Sequence, residues 1–356
     1  MADMLRMGVI DVGGIARGVH IPGIQGSRDA ELTAVCDIKP EVRQFAREKY
    51  GLDDAHIFED YNKLLACPDV DAVSICTPNN VHVEIALAAV AAGKPFACEK
   101  PLSLNAAQAK PLIDALAAKP VANMICFSYR FKAAARYARD LIREGKIGTI
   151  RHVYAQYMQG WANPVNDCPK VWRFDKGISG SGTLADLGSH MLDLVRWITG
   201  DEYREISAQN GTFVFDRRSV DPDKNGIREP VDVDDYSHTL ALTEGGIAAT
   251  FEITRNGFAR GNYQRVEIYG DLGGLVYELE DTDVISGCFG AEGSRTRKFE
   301  RLEIPEKYRV SQMQSFLNRV KGLCDNDAAT VEDGYRNMLL LDKIIESSDT
   351  GRRLCL

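Results

Sequence analysis

Asp186 and His190 stand four residues apart in the run GSGTLADLGSHMLDLVRW (180–197). If 185–198 is helical, that spacing sets both side chains on one face. An imidazole, with its ordinary pKa of about 6.5, can exchange a proton near neutrality. A carboxylate one turn away can orient it, or bind a substrate hydroxyl. The plainer alternative is an Asp that complements the helix dipole and a His that fills a core position. A second reactive group is Lys100, in Glu99-Lys100-Pro101 at the end of the apolar run KPFACEKP (94–101). Outside any further context, such a Glu-Lys pair reads as a solvated strand end.

A third constellation lies at the start. Ile10-Asp11-Val12-Gly13-Gly14-Ile15-Ala16 follows an apolar strand pattern. It approaches the strand–turn–helix fingerprint G-x-G-x-x-G/A of dinucleotide sites. Gly13 holds the second position, where backbone must come close to a pyrophosphate, and Ala16 the third. The first position, needed for the tight turn, is Asp11, a departure that brings a carboxylate towards the phosphates. Val12, Gly13, Gly14 and Ile15 are the candidate phosphate-binding backbone. Asp37 follows Gly13 by 24 residues and ends the next strand pattern, ELTAVCD. A carboxylate there can accept hydrogen bonds from the ribose hydroxyls of NAD and repel the 2′-phosphate of NADP. The alternatives are that Asp37 only caps the next helix, and that nearby Lys39 admits NADP.

These residues need elements to hold them. Over the first 127 residues, short apolar strands alternate with helical stretches: 7–11, 31–37, 56–58, 71–78, 94–101 and 121–130 read as strands. That rhythm predicts a parallel sheet with crossover helices, its strands buried on both faces. Ligands bind such open sheets outside the carboxyl ends of the strands, where Asp11, Asp37, Thr77 and Lys100 fall. From about residue 128 the pattern changes. A helix over AAARYARDLIREGKIG leads to a long alternating strand IRHVYAQYMQ, a loop (161–182), a helix from Ala185 to Thr199, and four or five long strands joined by turns such as EGG and DLGG. Short turns favour antiparallel neighbours. The C-terminus returns to helix at SQMQSFLNRVKGLCDN and EDGYRNMLLLDKIIESS. The chain therefore reads as α/β: an N-terminal, doubly wound parallel sheet (1–127) plus a C-terminal α+β domain (128–356) with a large, mainly antiparallel open sheet, whose last helices return towards the first domain.

The motifs also carry a resemblance. Thr77-Pro78-Asn79-x-x-His82, a Gly-Lys-Pro turn and Glu99-Lys100-Pro101 resemble the glucose–fructose oxidoreductase/inositol dehydrogenase/MocA family. The Gly-rich turn before Asp186-x-x-x-His190 and the closing segment 330–352 extend the likeness over nearly the whole chain, with Asp11 the main mismatch. The resemblance implies a Rossmann-type NAD-binding domain over 1–127. Thr77, Pro78, Asn79, His82 and Glu99 would line the cofactor, and Lys100, Asp186 and His190 would be catalytic. It also makes Trp172 and Arg173, before the Gly-rich turn, candidates for touching substrate. Tyr129, Gln159 and Tyr335 are candidate substrate residues by position.

The chemistry expected of this set is transfer of a hydride between nicotinamide and a secondary hydroxyl or keto carbon of a sugar, glycoside or cyclitol. The cofactor takes the hydride, and a base must take the hydroxyl proton. His190 exchanging the proton while Lys100 hydrogen-bonds the same oxygen is one assignment, and the reverse is the other. Two further readings are a glycoside-cleaving enzyme that uses tightly bound NAD with no net redox, and a sugar-sensing binding protein without activity.

Composition narrows the field. Hydrophobic residues at 45% and charged residues at 26% are globular values. A net charge of -8 without basic runs argues against nucleic acid as partner. No run of about 18 apolar residues predicts a membrane span, and the start of the sequence shows no secretory pattern. The nine cysteines, Cys324 among them, include no C-x-x-C pair. Most sit in apolar strand runs, so they read as buried free thiols in a reducing cytoplasm. No metal-ligand spacing stands out. A large open sheet further predicts a homo-oligomer: dimer, tetramer or hexamer.

Overall fold

The computed structural model describes residues 4–224, 226–323 and 327–356. The chain forms two compact units. One comprises Met1–Phe127 and Val310–Arg336, the other Ser128–Arg309 and Asn337–Leu356.

The first unit is built on six strands: β1 (Leu5–Ile10), β2 (Ala30–Cys36), β3 (Ile57–Phe58), β4 (Ala72–Ile75), β5 (Phe96–Cys98) and β6 (Asn123–Ile125). All pairings are parallel, in the order β3-β2-β1-β4-β5-β6. The order reverses direction between β1 and β4, and that switch point is where an open sheet leaves a crevice for a ligand. Val9, Val35, Val73, Ala97 and Met124 are fully buried, as strands covered on both faces require. β4, β5 and β6 are shorter than their apolar runs suggest, and those runs continue past the carboxyl ends into the loops of the crevice. β1 and β2, by contrast, are at least as long as expected and start one or two residues earlier. Pro111 lies inside an unbroken helix, Ala106–Ala118. The segment Val310–Arg336 closes this unit. Helix Gln312–Val320 packs against β6 and helix Ile21–Gln25, and Ala329 bridges to Ile125.

The second unit carries β7 (Ile150–Met158), β8 (Tyr203–Gly211), a small hairpin of β9 (Asp216–Arg218) and β10 (Arg228–Pro230), then β11 (Tyr236–Thr243), β12 (Ala248–Thr254), β13 (Tyr263–Gly270), β14 (Gly273–Leu279), β15 (Asp283–Phe289), β16 (Glu300–Arg301) and β17 (Leu354–Cys355). Nine of them form one sheet in the order β16-β15-β14-β13-β7-β12-β11-β8-β17. Every pairing is antiparallel except β7 with β12. Along β11 and β12 alternate residues are buried, so one face packs and the other is open. Helices Ala133–Arg143 and Ser189–Thr199 lie on the packed face. Tyr154 and Leu240 project from the open one, at 47% and 60% exposure. The edge strand β17 has no signal in the sequence, being two residues long.

The helix expected from Ala185 to Thr199 is divided. Leu184–Gly188 winds as a π turn, and the α-helix begins at Ser189. A π turn also follows β1, at Ala16–His20. Such turns recur at functional sites. No helix among the described residues is long and apolar enough to cross a membrane. Of the eight described cysteines, all unpaired, Cys36, Cys76, Cys98 and Cys126 are buried, Cys67, Cys168 and Cys288 are partly buried and Cys355 is exposed. Cys324 lies outside the described residues.

Candidate active site

In the first unit the carboxyl ends of β1, β2, β4 and β5 converge. The turn after β1 is closed by Asp11 itself. Asp11 has φ +69°, a left-handed conformation that Asp tolerates better than most residues, and its Oδ1 accepts from Gly13 N at 2.8 Å. Its carboxylate thus folds back on its own turn. Burial and the charge of Asp37 raise its pKa, against the Gly13 N–H and the charges of Lys39 and Arg17. Asp37 (8% exposed) ties two turns together: Oδ2 accepts from Val12 N at 3.0 Å and Oδ1 from Lys39 N at 2.9 Å. Gly14 and Ile15 are exposed, and a Cβ on Gly14 would meet nothing within 4 Å. The turn therefore presents open backbone.

After β4, Thr77 and Pro78 are partly buried and Asn79 is buried. Thr77 Oγ1 is buried without a partner among the described residues. After β5, Glu99 accepts from its neighbour Lys100 N at 3.2 Å, and Lys100 is partly exposed. His82, expected beside the cofactor, makes contacts within the protein. Its ring is fully buried, with Nδ1 2.8 Å from Pro101 O and Nε2 2.8 Å from Thr77 O. Each nitrogen faces a carbonyl, and a neutral ring donates its single N–H to one of them, so His82 links the β4 and β5 loops. Tyr335, expected near substrate, lies in this first unit, partly buried on helix Val331–Thr350.

In the second unit the Gly-rich turn is fixed by Asp234, whose carboxylate accepts from Gly182 N at 2.7 Å and Leu184 N at 2.8 Å. A Cβ on Gly182 would come within 2.0 Å of Asp234 O, so only glycine allows this approach. The π turn then carries Asp186, and the first α turn carries His190 (7% exposed). The His190 ring lies 4.6 Å, centroid to centroid, from that of Tyr129 and 6.5 Å from Tyr157. Asp186 Oδ2 is 3.8 Å from both Arg173 Nε and Arg255 Nη1. Arg173 also stacks over Trp172, 4.4 Å from its centroid. The expected residues Asp186, His190, Tyr129, Gln159 and Arg173 are thus brought into one neighbourhood.

Sequence reasoning missed four members of this neighbourhood. Tyr157 hydroxyl pairs with Tyr129 hydroxyl at 2.5 Å. Asn262 Oδ1 lies 2.7 Å from the Tyr157 hydroxyl, 2.9 Å from Gln159 Nε2 and 3.1 Å from the Tyr129 hydroxyl, and the two phenol protons are shared among these contacts and the one between the hydroxyls. Gln159 Oε1 accepts from Trp161 Nε1 at 2.8 Å. Arg255 is fully buried and donates through Nε to Thr183 Oγ1 at 3.1 Å. Tyr157 could have been found, since it stands two residues before the expected Gln159 in the run IRHVYAQYMQ, a spacing that shares one face of a strand. Asn262 and Arg255 carry no local signal. Burial, above all, raises the pKa of both Tyr129 and Tyr157, so both are neutral phenols at physiological pH. By contrast Arg130 is structural: it makes a buried bidentate pair with Asp193.

Two groups of metal-type donors also meet in the first unit, His20/Glu99/Cys126 and His56/Cys67/Asp69. Sequence spacing hid the first, whose members come from three separate elements, whereas the second joins His56 to Cys67 and Asp69 of one nearby loop.

Residues 5–127 match the family described as "Oxidoreductase family, NAD-binding Rossmann fold", and residues 135–276 match the GFO/IDH/MocA C-terminal domain. The chain belongs to this family. It is 34% identical over 341 residues to levoglucosan dehydrogenase of Pseudarthrobacter phenanthrenivorans, covering 88% of this chain and 86% of the relative. It is 28% identical to myo-inositol 2-dehydrogenase of Thermotoga maritima, covering 94% of each. A levoglucosan dehydrogenase structure in complex with NADH and levoglucosan superposes with a TM-score of 0.88 at 28% identity, covering 99% of each chain. The first unit fits NAD on its own geometry: open backbone at Gly14, a buried orphan hydroxyl at Thr77, and a carboxylate at the end of β2. The chain is an NAD-binding oxidoreductase of a sugar and cyclitol dehydrogenase family.

Proposed function

We propose that the protein is an NAD-dependent dehydrogenase acting on a ring hydroxyl of a neutral polyol: a free sugar, a glycoside or anhydrosugar, or a cyclitol. The observation that carries this reading is the uncharged hydrogen-bonding cluster of Tyr129, Tyr157, Gln159 and Asn262 beside His190. Neutral donors and acceptors in a row suit a molecule that offers many hydroxyls and no charge. The relatives that act on levoglucosan and myo-inositol support the same substrate class.

Bound NAD supplies the hydride acceptor. Val12, Gly13, Gly14, Ile15, Asp37, Thr77, Pro78, Asn79 and Glu99 are the residues to hold it. His190 and Lys100 are the proton-handling groups, and Asp186 orients His190 while Arg173 and Arg255 hold its carboxylate in place. Trp172, Arg173 and Gln159 border the sugar. The open sheet face, with Tyr154 and Leu240, supports pairing of two copies, and the unpaired cysteines support a reducing, cytoplasmic setting.

The test is a panel of levoglucosan, myo-inositol, free hexoses and methyl glycosides incubated with NAD. NADH should accumulate with at least one. Lys100→Met and His190→Ala should each lower kcat by about 100-fold or more. Release of free aglycone with no NADH would overturn the reading in favour of a hydrolytic one.

A further inference from the structure

His20 ends the π turn that follows the Gly-rich turn, and its ring is buried. Its Nε2 lies 2.9 Å from Glu99 Oε1. Burial pushes the Glu99 pKa up, but the His20 hydrogen bond, the pull of His20 and Lys100, and the Lys100 N–H outweigh it, so the carboxyl stays ionised. An ionised carboxylate only accepts, so Nε2 is the donor. The other carboxylate oxygen accepts from Lys100 N. One unbroken chain of contacts therefore runs from the turn after β1, through His20 and Glu99, to the backbone of Lys100.

The rest of the ring argues that this contact is its purpose. His20 Nδ1 is buried with no partner among the described residues. A buried orphan nitrogen is penalised, and an apolar residue of similar size would avoid the penalty. Beyond Lys100, His82 lies against Pro101 O. Two buried histidines thus fix the segment on either side of Lys100. Cys126 also comes within reach of His20 and Glu99, but the 2.9 Å between Nε2 and Oε1 is a hydrogen-bond distance. Ligands on one tetrahedral zinc stand about 3.3 Å apart.

We propose that His20 is a positioning residue that, through Glu99, couples the cofactor-binding turn to the placement of Lys100. The proposal rests on reading Lys100 as a proton-handling group. Its test compares His20→Leu, which keeps bulk and loses the N–H, with His20→Gln, which can return an N–H to the Nε2 position. Two readouts are taken on the full-length protein: kcat with separate KM values, and the rate at which an amine reagent labels Lys100, with and without NADH, by peptide mass mapping.

The Leu variant should lose about 10- to 100-fold in kcat, with KM for NAD within about threefold, and should lose most of the NADH effect on Lys100 labelling. The Gln variant should regain most of both. A folded Leu variant that matches wild type, or a Gln variant as impaired as Leu, overturns the proposal. If His20→Leu does not fold, Glu99→Gln and the double variant with His20→Gln decide. Additive losses in the double variant overturn the coupling, and a double no worse than the poorer single upholds it. Stoichiometric zinc in the purified protein would also overturn it. Should wild type turn over no polyol, the proposed function fails, but the labelling comparison still reads the coupling.

Discussion

Replacing Asp37 by serine tests the cofactor assignment most directly. Asp37 already accepts from Val12 N and Lys39 N, yet a carboxylate has lone pairs for two more donors. Hydrogen bonds from the ribose hydroxyls to this charged group contribute about 1.5–3 kcal/mol each. Losing most of that should raise KM for NAD by about 100-fold. The same carboxylate opposes NADP. At about 5 Å and an effective dielectric of about 20, each unit of phosphate charge is repelled by about 3 kcal/mol. Of the neighbouring cations, Arg43 gives little relief, since it donates to Asp37 main-chain O at 2.7 Å and to Glu59. With a phosphate near a charge of -2 and only half of this repulsion realised, wild type should still prefer NAD by about 100-fold or more. Serine can still cap Lys39 N, so the fold should survive, which thermal melting checks. The preference should then fall to about tenfold, the remainder reflecting Asp11. Steady-state kcat/KM with both cofactors reads the outcome. If Asp37→Ser changes NAD kcat/KM by less than about threefold and leaves the preference intact, Asp37 is only the cap that its two backbone contacts describe.

Other consequences are equally open to measurement. Asp193→Asn removes the charge paired with the buried Arg130 guanidinium and should destabilise the protein by about 3–5 kcal/mol; a urea midpoint within error of wild type would contradict the buried pair. Asn262→Ala removes the common acceptor of Tyr129, Tyr157 and Gln159, which should raise KM for the polyol by about tenfold or more while KM for NAD stays constant, and an effect on NAD instead would remove Asn262 from the substrate neighbourhood. For His82, burial lowers the pKa more than the carbonyls of Pro101 and Thr77 raise it. The unfolded chain therefore takes up a proton first. This residue contributes no pH dependence above its unfolded value of about 6.5 and a growing loss of stability below it, down to the folded value. His56, raised chiefly by its hydrogen bond to Asp53, acts in the opposite sense, so the comparison is wild type against His82→Asn between pH 7 and 5: the variant should show the shallower fall, and parallel curves would show that His82 is not neutral in the fold.

The first unit was legible because its logic is local. Each apolar run is a strand and each polar residue just beyond it is a crevice residue, so Asp37, Thr77 and Lys100 could be placed by position along the chain. The second unit was legible in outline only. Alternation gave the strands, but not that β7 would pair parallel to β12, since pairing over about a hundred residues leaves no trace in either strand. The same limit hid Asn262 and Arg255, which join Tyr129, Thr183 and Asp186 only through the sheet. The contacts of the His82 ring were hidden for a related reason: its two nitrogens face carbonyls that are 5 and 19 residues away.

Asp11 shows what a departure from a motif can mean. In the fingerprint, the first glycine supplies a conformation and nothing else. Asp11 closes the turn in a left-handed conformation, φ +69°, and adds a hydrogen bond to Gly13 N that a glycine cannot make. The turn is therefore better tied before any ligand arrives, but the Gly13 N–H is spoken for and a second carboxylate stands beside Asp37. Both effects act against phosphate. The first withdraws a donor and the second adds negative charge, and the raised pKa of Asp11 reflects its burial first and then that crowding. A turn of this kind would hold NAD chiefly by the ribose and the loops after β4 and β5 rather than by the pyrophosphate. A cofactor gripped at those points can leave after each hydride transfer, as a dehydrogenase with net turnover requires, whereas an enzyme that keeps NAD through repeated cycles would gain from the donor that Asp11 takes away.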